Sequence, residues 1–133
     1  MVRIIDTSVA IKWFVKEDGF EKAFAILEQV LEKPALFAVP ELFYFELIHV
    51  FNRLISHPSK VQYQLLSQVV QLGIHRFSMN IELLSEIAVF QRLGLSGYDS
   101  AYVSLARLLN GKWITCDEKA HNLVAKMKLS DLL

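Results

Sequence analysis

Val2-Arg3-Ile4-Ile5-Asp6-Thr7-Ser8 places a short apolar run directly before a carboxylate and two hydroxyl residues. Apolar runs without polar alternation read as strands buried on both faces, as in a parallel sheet. Thr7-Ser8 then open a helix predicted through Val9-Ala10-Ile11-Lys12-Trp13-Phe14-Val15. In open α/β sheets, ligands bind in the crevice beyond the carboxyl ends of the strands. Asp6 therefore stands where chemistry is expected. The plainer account makes Asp6 a helix N-cap, accepting from backbone N–H groups of the following turn.

The rest of the chain repeats the strand-then-helix pattern. Glu17-Asp18-Gly19 breaks the first helix, and Phe20 to Lys33 carries Phe20, Ala23, Phe24, Leu27, Val30 and Leu31 at helical spacing until Pro34 ends it. Leu36 to Val39 reads as a second strand closed by Pro40, followed by a long helix from Glu41 to Ser56. That helix is apolar nearly all round, which predicts burial on most sides. His57-Pro58-Ser59 turns the chain into a helix through Gln71 capped by Gly73, and Ile74 to Met79 is a third strand. Helices follow over Asn80–Leu93, stopped by Gly94, and from Ser96 to Leu109, stopped by Asn110-Gly111. Lys112 to Cys116 is a fourth strand, Asp117 begins a last helix, and Met127 to Leu133 returns as a short fifth strand. Strands alternating with helices give an α/β class with a mostly parallel sheet.

At 133 residues the chain is a single domain able to bury a core without disulfides. Its one cysteine, Cys116, excludes an intramolecular disulfide and fits a reducing, cytoplasmic compartment. Asp6 and Lys12 interrupt any signal-peptide core. The longest apolar stretch, Leu36 to Phe51, contains Pro40, Glu41, Glu46 and His49, too short and too charged to span a membrane. The formal charge is zero, 14 basic against 14 acidic residues, which excludes a domain that holds nucleic acid by bulk electrostatics but not an enzyme that meets it briefly. A hydrophobic content of 53% and a mean hydropathy of +0.34 are high, and predict apolar surface covered by a partner or a second copy.

Four acids fall at informative places. Asp6 and Asp117 each follow an apolar run, Asp99 lies in the first turn of its helix, and Glu46 lies inside the most apolar helix of the chain. Caps explain some of this: Asp117 can cap its helix, and Ser96-x-x-Asp99 has the pattern of a capping box. Glu46 could share a polar stripe with Asn52 and Arg53, or pair with His49. Helix starts in a parallel α/β sheet nevertheless share one sheet edge, and Glu46, about one to two turns into its helix, can lean over it. Clustered carboxylates repel one another, and their ordinary use is to hold Mg2+ or Mn2+, hard cations that prefer oxygen ligands. On that reading a neutral substitution at Asp6 or Asp99 raises the melting point of the metal-free protein.

IIDTSVAIKWF, PELFYFELIHV, GLSGYDSAYVSLA and ITCDEKAHNL resemble, in order and spacing, the four acidic blocks of PIN-domain proteins, nearest to the VapC-like toxins of toxin–antitoxin pairs. The resemblance covers nearly the whole chain. It implies a single PIN-like nuclease domain over residues 1–133, three layers deep, with a mostly parallel sheet of four to five strands flanked by helices. It implies a Mg2+- or Mn2+-dependent endoribonuclease with catalytic, metal-binding acids at Asp6, Glu46, Asp99 and Asp117. Thr7, Ser8 and Thr115 match positions of supporting hydroxyls. An RNA substrate, a cognate antitoxin and a homodimer are the implied partners. The rival reading is a PIN-like partner-binding module whose nuclease activity is weak or lost.

Other chemistries lack their residues. The histidines His49, His57, His75 and His121 show no zinc spacing with Cys116, and no glycine-rich phosphate loop is present. A receiver module wants an acidic pair after its first strand, which Asp6-Thr7 does not supply. A haloacid-dehalogenase-like phosphatase wants Asp-x-Asp there, and Ser8 occupies the second position.

Overall fold

β1 (Arg3–Ile5) lies at the centre of a five-stranded sheet in the computed structural model, which describes residues 1–133. β2 (Phe37–Pro40) and then β3 (His75–Phe77) lie on one side, and β4 (Lys112–Thr115) and then β5 (Ser130–Leu132) on the other. Every pairing is parallel, so the sheet expected to be mostly parallel is wholly so. Ile4 stands opposite Ala38 and Trp113, and Ile5 opposite Ile114. Successive strand residues point to opposite faces, and Ile4 and Ile5 are both fully buried. Both faces of the sheet are therefore covered, which makes the fold three layers.

The covering helices are α1 (Thr7–Ala10), α2 (Phe20–Glu32), α3 (Leu42–Leu54), α4 (Lys60–Gln71), α5 (Ile81–Arg92), α6 (Gly97–Leu108) and α7 (Glu118–Val124). α6 packs across β1, β2 and β4 and carries α5 against it. Caps at several starts are those the sequence offers: Ser59 with Gln62 as a complete capping box, Asn80, Ser96 and Asp117.

Three expectations are corrected. The first helix is a single turn, continued by a 3-10 turn over Ile11–Trp13, because Trp13 turns under α2 and its Nε1 donates to Ala23 O at 2.9 Å. α3 is buried along one stripe only, Phe43, Leu47 and Phe51, while Phe45 is 66% exposed and Ile48 also faces outward. It packs on β2 and α1 along that stripe, and its other apolar side is left open. Gly73 is not a left-handed cap; α4 ends at Leu72, and Gly73 lies against the Pro34 ring. Gly94 does end α5 with φ +101, a conformation that only glycine adopts freely. Gly111 is required for a different reason: a Cβ there would lie 2.2 Å from Val2 O, so its bare backbone lets β4 close on β1.

Candidate active site

The strand order runs away from β1 in both directions, so the crevice between the carboxyl ends of β1 and β4 is the switch point of this sheet. Asp6 leaves β1 and Asp117 leaves β4 at that crevice. Short bonds join the two ends. Asp6 N–H donates to Ile114 O at 3.0 Å, and Cys116 N–H to Ser8 Oγ at 2.9 Å. Ser8 Oγ and Thr115 Oγ1 lie 3.4 Å apart, and Asp117 N–H donates to Thr115 Oγ1 at 3.0 Å. Ser8 and Thr115 thus fix where the two aspartates emerge.

Thr7 faces the other way. Its Oγ1 lies 2.9 Å from the Tyr102 hydroxyl and donates to Glu46 Oε1 at 3.4 Å. The Tyr102 hydroxyl donates to the same Glu46 oxygen at 2.6 Å. Glu46 therefore takes neither the polar stripe with Asn52 and Arg53 nor a pairing with His49, but turns inward toward α6. Asp6 is buried, and both of its oxygens accept: Oδ2 from Ser8 N–H at 3.0 Å and Oδ1 from Trp113 Nε1–H at 3.1 Å. The Tyr102 and Trp113 rings stack, 6.3 Å between centroids and 16° apart in plane.

The cap account holds in part. Asp6 and Asp117 are both N-caps, Asp117 Oδ1 accepting from Ala120 N–H at 3.0 Å. At Asp99 only half of the expected capping box forms: its N–H donates to Ser96 Oγ at 3.0 Å, and its carboxylate does not return to the Ser96 N–H. That carboxylate faces the crevice, with the Ser96 hydroxyl beside it. Asp6, Glu46 and Asp99 line one cleft of about 440 Å3 together with Lys12, Glu17 and Arg53. Asp99 and Asp117 line a second groove of about 230 Å3 beside it, so Asp99 is common to both. Lys12 is held by Asp18 O at 2.6 Å and Glu17 at 3.5 Å rather than by the aspartates.

Burial and mutual repulsion act on these groups together. The Asp99 carboxyl is pushed up to about 6, first by burial and then by the charges of Asp6, Asp117 and Glu46. Burial likewise raises Asp6, against the bonds from Ser8 and Trp113 and with Asp117 adding to the rise. Glu46 is raised by burial and by Asp6, while the Tyr102 and Thr7 bonds lower it. The Tyr102 hydroxyl is pushed far up by burial and by Glu46 and Asp6, so it stays a phenol and a donor. The donors are all oxygen, the composition that suits Mg2+ or Mn2+. No three of them close around one point by themselves. A small hard cation does not need that, since Mg2+ ordinarily keeps several waters and takes one or two carboxylates. The residues fit such an ion.

Tyr102 and Trp113 were not singled out in the sequence, where they read as apolar members of a helix and a strand. A signal for Tyr102 was present: three residues beyond Asp99 puts it one turn along the same helix face. Trp113 carried none.

The PIN domain family model matches residues 3–126 of the chain. Among solved structures, a toxin–antitoxin complex from Klebsiella pneumoniae superposes with a TM-score of 0.70 at 17% identity, covering 97% of this chain and 95% of that one. FitAcB from Neisseria gonorrhoeae gives 0.67 at 12% identity, covering 93% and 94%. The protein PAE2754 from Pyrobaculum aerophilum gives 0.66 at 16%, covering 92% and 79%. These likenesses are of fold. No curated protein sequence matches the chain.

Proposed function

This chain belongs to the PIN domain family, and from that premise we propose that it is a metal-dependent endoribonuclease, the toxin of a type II toxin–antitoxin pair. One observation carries the reading: Asp6, Glu46 and Asp99 line one cleft, and Asp99 and Asp117 the groove beside it, at the switch point of the sheet. Acids that repel one another at a ligand crevice call for a cation. Asp6, Asp99 and Asp117 would hold it, and Glu46 would hold it or orient a water. One or two bound Mg2+ or Mn2+ ions would supply polarisation of the scissile phosphate and a water of lowered pKa. The chain's own part is to keep Asp6 and Glu46 in place through Trp113, Tyr102, Thr7 and Ser8, and to hold Asp99 in the first turn of α6, where it lines the cleft.

An antitoxin partner is in keeping with the Klebsiella pneumoniae fold neighbour, whose structure is a toxin–antitoxin complex. A homodimer is in keeping with the exposed Phe45, Met79, Ile81 and Tyr98. No helix is long and apolar enough to cross a membrane; the single cysteine is in keeping with a reducing, cytoplasmic setting. The fact that no three acids converge favours the second reading, a partner-binding module with little nuclease activity.

Cleavage of a fluorescent RNA, with Mn2+ and with EDTA, decides between them. The parent should cut only with metal. Asp6→Asn, Glu46→Gln, Asp99→Asn and Asp117→Asn should each lose roughly a hundredfold or more, since even outer-shell partners of a metal site cost about 10–100-fold. Full activity in EDTA, or in any two of these variants, would exclude the shared-metal reading; no cleavage by the parent would favour the binding module.

A further inference from the structure

Glu46 and Asp6 are connected through the protein interior by two buried aromatic rings. Glu46 Oε1 receives the Tyr102 hydroxyl at 2.6 Å, Asp6 Oδ1 receives the Trp113 indole N–H at 3.1 Å, and the two rings lie stacked on each other. Tyr102 is 1% exposed and Trp113 0%, so neither ring has room to move without the other. Each belongs to an element that packs on β1: Tyr102 to α6, and Trp113 to β4, where it stands opposite Ile4.

We infer that Tyr102 and Trp113 are a pair of positioning residues that sets the separation of Glu46 and Asp6, and so the size of the cation the cleft accepts. This rests on the metal reading of the cleft and deepens it. Mg2+ wants near-octahedral ligands at about 2.0–2.1 Å, whereas Ca2+ accepts flexible geometry at about 2.3–2.6 Å. A fixed separation favours the smaller ion; a loosened one admits both. Tyr102→Phe keeps the stacked ring and removes the hydroxyl that donates to Glu46 and contacts Thr7 Oγ1, leaving that carboxylate the longer Thr7 bond at 3.4 Å. Trp113→Phe removes the donor to Asp6.

The test is calorimetric binding of Mn2+ to the intact protein, with Mg2+ and Ca2+ measured by competition and folding checked by thermal melting in EDTA. Tyr102→Phe should weaken Mn2+ and Mg2+ about tenfold while Ca2+ changes little, the range measured for outer-shell partners of metal ligands. Trp113→Phe should do the same, and the double variant should lose less than the product of the two, because the stack couples them. Tyr44→Phe removes another buried phenol, one without a partner, and should leave all three affinities unchanged. Equal weakening of all ions, or unchanged affinities in a folded Tyr102→Phe and a folded Trp113→Phe, overturns the positioning role alone. A parent that binds none of the three ions overturns the metal reading, and this inference with it. If one variant fails to fold, the other carries the result.

Discussion

The two halves of the acidic crevice are built differently. Asp6 and Glu46 are held by donors far away in the chain, Trp113 at a separation of 107 residues and Tyr102 at 56. Asp99 and Asp117 sit in first turns whose bonds span three residues, from Asp99 N–H to Ser96 and from Ala120 N–H to Asp117. The first half is fixed by the packed interior, the second by local backbone chemistry. One wall of the site has its carboxylates pinned by distant side chains; the other has them set in local turns, with the Asp117 backbone still tied to Ser8 through Thr115.

The contrast is broken most sharply by comparing Asp6→Asn with Asp99→Asn in the metal-free protein. Relief of repulsion alone would stabilise both. Asp6, however, spends both oxygens on N–H donors, and an amide has one oxygen and an NH2. Asp6→Asn should therefore lose about 1–3 kcal/mol, the cost of a buried donor left unpaired. Asp99→Asn leaves no donor unpaired and should melt higher than the parent. Melting curves of the three proteins in EDTA check this, and equal shifts in both variants would erase the distinction between the walls.

A smaller effect isolates the local wall. Ser96→Ala removes the cap of α6 and should cost about 1 kcal/mol, with Mn2+ affinity changed far less than by Tyr102→Phe. Denaturant titration gives the stability and calorimetry the affinity. A large loss of binding here would mean that Asp99 is positioned by its cap after all.

The smallest effect is in pH. A carboxyl raised in the folded state binds more protons there than in the unfolded chain between its ordinary value of 3.8 and about 6. Stability of the metal-free parent should therefore fall as pH rises through that window, with Asp6 and Glu46, also raised, acting in the same direction. Asp99→Asn should flatten the decline, read as melting temperature against pH in EDTA. Identical slopes would show that the Asp99 charge is screened by solvent.

This difference between near and far bonds also explains what could be read from the chain alone. The strand of Ile4-Ile5, the caps at Ser59, Asn80, Ser96 and Asp117 and the glycine stop at Gly94 are near-neighbour effects, and each is legible. Even the weak last stretch closes as β5. Residues that depend on a distant partner are not. Tyr102 and Trp113 look like core, α3 looks buried all round although one side is open, and the first helix stops early because Trp13 is drawn to Ala23. The four acids were legible as candidates by their places after strands and in first turns. That Asp99 keeps its carboxylate out of the capping box was not.

Placing β1 between β2 and β4 has a consequence for the birth of the protein. β1 is made before both of its neighbours, and one of them is made only at Lys112–Thr115. Parallel pairing over such a span closes a long loop, which makes it a late and slow event in folding. Until then the central strand has an open edge, Asp6 has no Trp113, and Asp117 does not yet exist. The nascent chain is without its complete set of acids until the stretch through Asp117 has been made.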